Sequence, residues 1–408
     1  MSSSLPDLRL RFLSDVTSDS YSAADLRRCI RQEDFWNHDL EHDKIAPTVQ
    51  KCAEHFYSSN CTISSLRVSL LRDKQVFNVS TLGDALCVRR TNEILRKSLR
   101  MTVQNRDEEV RQLLTVLFTE NRCRVLRSDL SSFFETVTLG TVIEKLEAEG
   151  FRNHSALCFL RSLNRQLIDR FGFAGLPRGL SISSTLADYM MHDFDRSLQN
   201  RAQVVYYCRY VDDICIIHYE PKDVLSSELP SLLPPGLRIN LAKTREVAFP
   251  STQKLEFLGY AIHLEMPRRV AIASTKMGKA KKRIILSFRS FLNDRDFNAL
   301  ADRLRFLSAT VEMSKSGRDL NVLCGFRHVY RFCTETEILS QMEELDQFLH
   351  GILTSRRYFL SRKFLPLLDS VQLGILRSLS FKASYQNRIS YFMGRDRIAK
   401  IKQAWKYE

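Results

Sequence analysis

Residues 204–218 constrain the fold more than any other stretch. Two β-rich runs, 204–207 and 214–218, bracket Tyr210-Val211-Asp212-Asp213. Short runs of β-branched and aromatic residues read as strands, so this segment predicts a hairpin with two adjacent carboxylates at its turn. An Asp pair alone also suits a solvated turn, because Asp favours turns. Flanked by Tyr-Val and Ile-Cys-Ile-Ile, however, this pair projects from a strand of buried character.

A third carboxylate, Asp129, ends the strand-like run 124–130. Around these strands the chain reads as helix at 23–32, 46–56 and 88–120, where apolar residues recur at three- and four-residue intervals. Further helices are expected at 141–149 and 181–198, separated by a loop at 171–179 with three glycines and a proline. Strands are expected at 237–241, 246–249, 255–264 and 269–273, and mostly helix from Thr275 onward. The order predicts an α+β centre flanked by helical parts.

The charge says what kind of partner to expect. Over 408 residues, 61 Lys and Arg outnumber 47 Asp and Glu, a formal net charge of +14. Such an excess points to a polyanion, most simply nucleic acid. It is concentrated in two places. Lys276, Lys279, Lys281, Lys282, Arg283 and Arg289 form a run without an acid, and residues 355–408 hold 12 basic against 3 acidic side chains. A charge run is also what a solvated face looks like.

No apolar run approaches the roughly 18 residues that a membrane-spanning helix needs. The start, MSSSLPDLRLRF, has no apolar core of a secretory leader. Ten cysteines show no C-x-x-C pair, and His38 and His42 stand without a cysteine pair. The reading is therefore no membrane, no zinc site, and reduced thiols in a cytoplasm.

Three carboxylates on separate β segments suit phosphoryl transfer. Mg²⁺ prefers carboxylate, water and phosphate oxygens. Two ions about 4 Å apart can activate an attacking hydroxyl and stabilise a leaving pyrophosphate. The carbonyl of Leu130 would be a further ligand.

Five segments together resemble the reverse transcriptases. Tyr210-Val211-Asp212-Asp213 is similar to their Tyr-x-Asp-Asp signature, and Arg127-Ser128-Asp129-Leu130-Ser131-Ser132-Phe133-Phe134 to the first palm motif. Gly175-Leu176-Pro177-Arg178-Gly179-Leu180-Ser181-Ile182-Ser183 resembles the second, with Arg178 where many relatives carry Gln. Asn240-Leu241-Ala242-Lys243-Thr244 resembles the fourth, and Leu255-Glu256-Phe257-Leu258-Gly259-Tyr260 the primer-grip hairpin. The order is the family's, over about residues 121–264.

The resemblance implies a right-hand polymerase. Residues 1–120 would hold the N-terminal region and fingers, and 121–264 the palm, with a fingers segment at about 150–178. Residues 265–340 would be a helical thumb and 341–408 a basic helical extension. It implies an RNA-directed DNA polymerase that adds dNTPs to a primer 3′-OH with two Mg²⁺, or Mn²⁺, on Asp129, Leu130, Asp212 and Asp213. Phe134 would be the steric gate against a ribose 2′-OH, and Phe133 core. Arg178, Gly179 and Tyr210 would lie at the nucleotide, template or primer end, with Ser183 helping the motif loop approach. Lys243 would meet the pyrophosphate or remain an exposed lysine. Arg89, Arg90, Arg100 and Arg106 are the candidates for a fingers grip or backbone contact. Lys276, Lys279, Lys282 and Arg283 would form a phosphate track.

The first palm motif Arg127–Phe134, the chain length and the basic end with Ala404-Trp405-Lys406 resemble the bacterial defence-associated and abortive-infection groups more than retrons or group II intron enzymes. This implies a cytoplasmic bacterial protein in anti-phage defence, with a noncoding RNA template and a DNA product. Its protein partner would be a second copy or another protein of the same locus. Two alternatives stay open: a template-independent or repeat-synthesising polymerase, and a silent RNA-binding scaffold.

Overall fold

A computed structural model describes residues 21–38, 40–71, 73–102, 104–119, 122–265, 267–313, 322–355 and 357–405. The polar start and Lys406 of the basic C-terminal end lie outside the described residues. The chain divides into two compact units, residues 1–109 with 124–246, and residues 110–123 with 247–408. This partition differs from the expected palm boundary. The hairpin read as a primer grip belongs to the second unit.

The first unit contains two sheets. A hairpin pairs β1 (Leu66–Leu71) with β2 (Lys74–Val79), antiparallel. It leads into the helix Leu82–Ser98, which Thr81 caps through Asp84 N–H. Buried Asp84 accepts hydrogen bonds from the Ser65 N–H at 2.8 Å and the Ser65 hydroxyl at 2.6 Å. The base of the hairpin is thereby tied to the helix.

The larger sheet, whose residues fall in this unit except for Cys123 and 247–249, has the strand order β4-β5-β3-β6, with β3 Cys123–Asp129, β4 Val204–Tyr210, β5 Asp213–His218 and β6 Arg245–Phe249. Both neighbours of β5 run antiparallel to it. Ile214 to Ile217 are fully buried on both faces. A strand covered on both sides reads as a continuous apolar run rather than an alternation, which is why the pattern was visible in sequence. Leu186, Tyr189, Phe194 and Leu198 of the helix Ile182–Gln199 share one core with Leu126, Ile214 and Ile216 of the sheet.

The second unit holds a three-stranded antiparallel sheet of β7 (Lys254–Phe257), β8 (Tyr260–His263) and β9 (Arg269–Ile272). Leu258 and Gly259 join β7 to β8 with φ of 47° and 85°. Positive φ at both loop positions is the I′ pattern that matches strand twist. The strand-like stretch 255–264, which the resemblance reads as a hairpin, is a hairpin.

Gln341, on the helix Glu335–Thr354, bonds both the N–H and the carbonyl of Ile272, each at 2.8 Å. The long basic helix Ser274–Asp294 carries Ser287, whose hydroxyl receives the Trp405 indole N–H at 3.3 Å in a buried bond. The C-terminal helix Arg395–Ala404 is therefore built into this unit.

Three sequence expectations differ. The helix expected at 88–120 is two helices, Leu82–Ser98 and Arg106–Thr119, broken where Arg100 takes φ 50°. The strand expected at 237–241 is a single bridge from Ile239 to Leu130, made by the Asn240 N–H on the Asp129 carbonyl at 2.7 Å and the Ser131 N–H on the Arg238 carbonyl at 2.9 Å; the chain then turns, the Asn240 carbonyl accepting the Lys243 N–H at 3.0 Å. The helical C-terminal part also contains a small sheet, β11 (Val322–Cys324), β10 (Thr310–Met313) and β12 (Ser390–Phe392), with β12 parallel to β10. The α+β class with antiparallel sheets is borne out. Among the described residues no helix is long and apolar enough to cross a membrane.

Candidate active site

Strand register brings the carboxylates together. Asp129 lies directly opposite Asp213 in the β3–β5 ladder. Cross-strand partners hold their Cβ atoms about 5 Å apart on one face. Asp212 precedes Asp213 in the two-residue loop Val211–Asp212, and its carbonyl accepts the Leu130 N–H at 3.0 Å. Leu130 is therefore fixed beside the turn by its backbone. Asp213 is pushed above the ordinary aspartate range, mainly by burial; Arg127 opposes the shift, while Asp212 and Asp129 add to it. That like-charge repulsion places all three carboxylates within one electrostatic neighbourhood.

Two cations partner the acids. Lys243 Nζ is 2.9 Å from Asp129 Oδ2, and Asn240 Nδ2 is 3.3 Å from the same oxygen. The segment carrying Lys243 is strapped to β3, since the Thr244 and Ser128 hydroxyls meet at 2.9 Å. Arg127 Nη2 lies 3.3 Å from Asp213 Oδ1. Asp129 and Arg127 are two apart on β3 and so share a face. Among the described residues no three His, Cys, Asp or Glu side chains are already arranged around one ion position. The donor set is nonetheless all hard oxygen, the chemistry of Mg²⁺ or Mn²⁺ rather than zinc.

The loop 175–181 packs against the β1–β2 hairpin. The Phe77 N–H donates to the Arg178 carbonyl at 2.6 Å. Gly179 has φ 96°, and a Cβ there would strike the Phe77 carbonyl, so glycine is required for this approach. Ser183 is buried and donates to the Pro177 carbonyl at 2.6 Å. It secures the loop that carries Pro177 to Gly179.

Arg178 is engaged as well. Its Nε and Nη2 reach Glu135 Oε1 and Oε2 at 2.9 and 3.2 Å, and its guanidinium lies 4.5 Å from the Phe134 ring centroid. Phe134 is 9% exposed and Phe133 1%, so Phe133 is core, while the ring of Phe134 carries a cation on its face. Tyr210 is half-buried and borders a cavity of about 160 Å³ with Arg96, Ser184, Asp188 and Val211.

The arginines proposed for the fingers are placed elsewhere. Arg90 is 3% exposed and lies 3.1 Å from Asp25 and 2.9 Å from Glu93. Arg89 pairs with Asp34 through two bonds of 2.5 and 2.9 Å. These guanidinium groups hold the N-terminal helices together, because buried charges persist only when paired. Arg106 pairs with Asp107 at 3.4 Å, and Arg100 is exposed.

Sequence reasoning passed over two cations on the β1–β2 hairpin. Arg67 and Lys74 share one face of the β1–β2 hairpin by register, and Lys74 Nζ lies 3.8 Å from Glu135 Oε1. Alternating polarity in 66–79 was the available signal. In the second unit Lys276 and Lys282 are exposed and Lys279 half-buried on the helix Ser274–Asp294. Arg283 instead lies over the Trp405 ring at 5.0 Å, and Lys281 pairs with Glu344 at 2.5 Å.

Residues 86–262 match the family described as "Reverse transcriptase (RNA-dependent DNA polymerase)". No curated protein matches the sequence. Solved structures similar to the chain include apo telomerase from Candida tropicalis truncated from its C-terminal domain. The identity there is 14%, over 59% of this chain and 50% of that one, with a TM-score of 0.36. Another is telomerase from Candida albicans in complex with the TWJ fragment of telomeric RNA, 12% identical over 83% of this chain and 61% of that one, with a TM-score of 0.36. The chain spans half the length of the first of these.

Proposed function

We propose, for a chain whose residues 86–262 form a reverse transcriptase domain, that it copies RNA into DNA by adding deoxynucleotides to a primer 3′-OH at Asp129, Asp212 and Asp213. The observation that carries this reading is the register Asp129 opposite Asp213 with Asp212 in the adjoining turn. Mg²⁺ or Mn²⁺ on these carboxylates and the Leu130 carbonyl would supply the charge that activates the hydroxyl and stabilises the leaving pyrophosphate.

The chain's own residues do the rest. Lys243 and Arg127 neutralise the acids, and yield them when cations arrive. Lys243 then has a free ammonium beside the leaving phosphates, where it donates to a developing oxyanion. Phe134 walls the sugar side, so that a 2′-OH clashes. Arg67 and Lys74 grip the triphosphate from the hairpin, in place of Arg89 and Arg90. Tyr210 and Gly179 bound the primer and template sides, and Lys276, Lys279 and Lys282 contact the phosphate backbone without reading sequence.

The wider role follows the resemblance to bacterial defence enzymes: a cytoplasmic protein with a noncoding RNA template, acting against phage, with a second copy or a protein of its locus as partner. Sequencing the DNA made by the purified protein on its bound RNA tests this. Copies complementary to that RNA are expected. Simple repeats would replace this reading with repeat synthesis, and no DNA would replace it with an RNA-binding scaffold.

A further inference from the structure

Val211 stands in a conformation that its side chain disfavours. It takes φ 61° at the first position of the two-residue loop between Tyr210 and Asp213. Positive φ there is the II′ pattern, which favours glycine, and a β-branched residue is a genuine outlier in that region. Such conformations persist only where surrounding structure over-determines them. Packing does only part of this: Val211 is half-buried, with one side against the core and another on the cavity of about 160 Å³ next to Asp188 and Tyr210.

A buried arginine supplies a polar restraint on the backbone itself. The Arg209 side chain, on β4, is 1% exposed. Its Nε and Nη2 donate to Asp195 Oδ1 and Oδ2 at 2.8 and 2.7 Å, and its Nη1 donates to Asp188 Oδ1 at 3.0 Å. The same Nη1 donates to the Val211 carbonyl at 2.9 Å. Tyr207 adds its hydroxyl to Asp195 Oδ1 at 2.5 Å. Asp188 and Asp195 are seven residues apart on the helix Ile182–Gln199, and so lie on one face. Bidentate arginine–carboxylate contacts fix geometry as well as charge.

We propose that Arg209 is a positioning residue. The Asp188–Arg209–Asp195 staple grips the Val211 carbonyl and keeps the turn in its left-handed form, so that Asp212 stays beside Asp129. The staple also makes the catalytic turn a rigid extension of the helix that begins at the second motif loop. This inference rests on the polymerase reading of the carboxylates.

The test compares Arg209→Lys, which keeps the charge and loses the fork, with Arg209→Lys/Val211→Gly, in which glycine takes the same φ without strain. Single-nucleotide extension of a primer on RNA and hydrogen exchange of peptides covering residues 205–214 in metal-free protein are the readouts. A small misplacement at a reacting centre costs on the order of 100-fold in rate. Arg209→Lys should therefore lose about that factor in kcat with little change in dNTP KM, and exchange faster at the turn. The glycine should restore at least about tenfold of the rate. Unchanged kcat and exchange in Arg209→Lys would overturn the staple. So would a loss, with thermal unfolding unchanged, that glycine does not repair. If Arg209→Lys unfolds, Asp188→Asn replaces it, with a smaller loss expected in the same direction and its absence counting against the proposal. Equal synthesis by wild type and Asp212→Ala would instead defeat the underlying reading, whatever Arg209 does.

Discussion

Replacing Arg178 by alanine should erode sugar discrimination without stopping synthesis. The Arg178 guanidinium holds both oxygens of Glu135 and lies 4.5 Å from the Phe134 ring centroid. The ion pair is a quarter to a third exposed, so its worth is discounted by solvent to about 0.5 kcal/mol. The cation–π contact at such a site adds about 1 kcal/mol. Together, about 1.5 kcal/mol is the most that this substitution can remove from the preference of the ring for its position, close to a tenfold factor in rate. The ratio of dTTP to UTP incorporation should thus fall by about tenfold or less, mostly through faster UTP use, with dTTP kcat nearly unchanged. Pre-steady-state incorporation of one nucleotide on an RNA template reads both rates. Phe134→Val removes the ring and sets the upper limit; Glu135→Gln should give part of the Arg178→Ala effect. A chain in which Phe134→Val relaxes discrimination while Arg178→Ala and Glu135→Gln leave it untouched would refute the reasoning.

Asp213 gives a pH prediction. Its folded pKa is raised, chiefly by burial, so the native chain binds this proton more tightly than the unfolded chain. Its contribution to stability is full below the unfolded value of about 3.9 and is lost as pH rises through the folded value. Urea melts of Asp213→Asn should show a flatter stability profile than wild type over that acidic window, and an identical profile would count against the raised pKa. Lys74→Ala removes a half-exposed cation from the hairpin, and should raise the dNTP KM by about tenfold with kcat less affected; an unchanged KM moves the triphosphate grip elsewhere. Ile214→Ala empties a fully buried site in the central strand and should cost about 2–5 kcal/mol, read from the midpoint of a urea melt at constant slope.

Much of the site was legible because it is local. The Asp212–Asp213 turn announced itself through the apolar strands on either side, and Asp129 through the end of its own short strand. What escaped was long-range pairing. Arg209 carried no signal of its own, since its two partners lie 14 and 21 residues earlier on a helix. Lys243 meets Asp129 across 114 residues, a contact that only the fold creates. The cluster of arginines at 89–90 looked like a phosphate grip, yet Asp25 and Asp34 on the N-terminal helices take their charge. The β1–β2 hairpin was missed because Leu70 and Leu71 near its tip face solvent, which blurred the alternation. The helix His154–Phe171 carried its signal openly, with Asn153 as its cap and apolar residues at three- and four-residue spacing, and was simply not read.

Primer extension by wild type and Asp212→Ala, on one defined RNA template with Mg²⁺ and dNTPs, bears most directly on the account. Wild type should make DNA complementary to the template. Asp212→Ala, with an unchanged thermal melt, should make none above background. Equal product from the two proteins would show that the Asp129, Asp212 and Asp213 cluster is not where the chemistry happens.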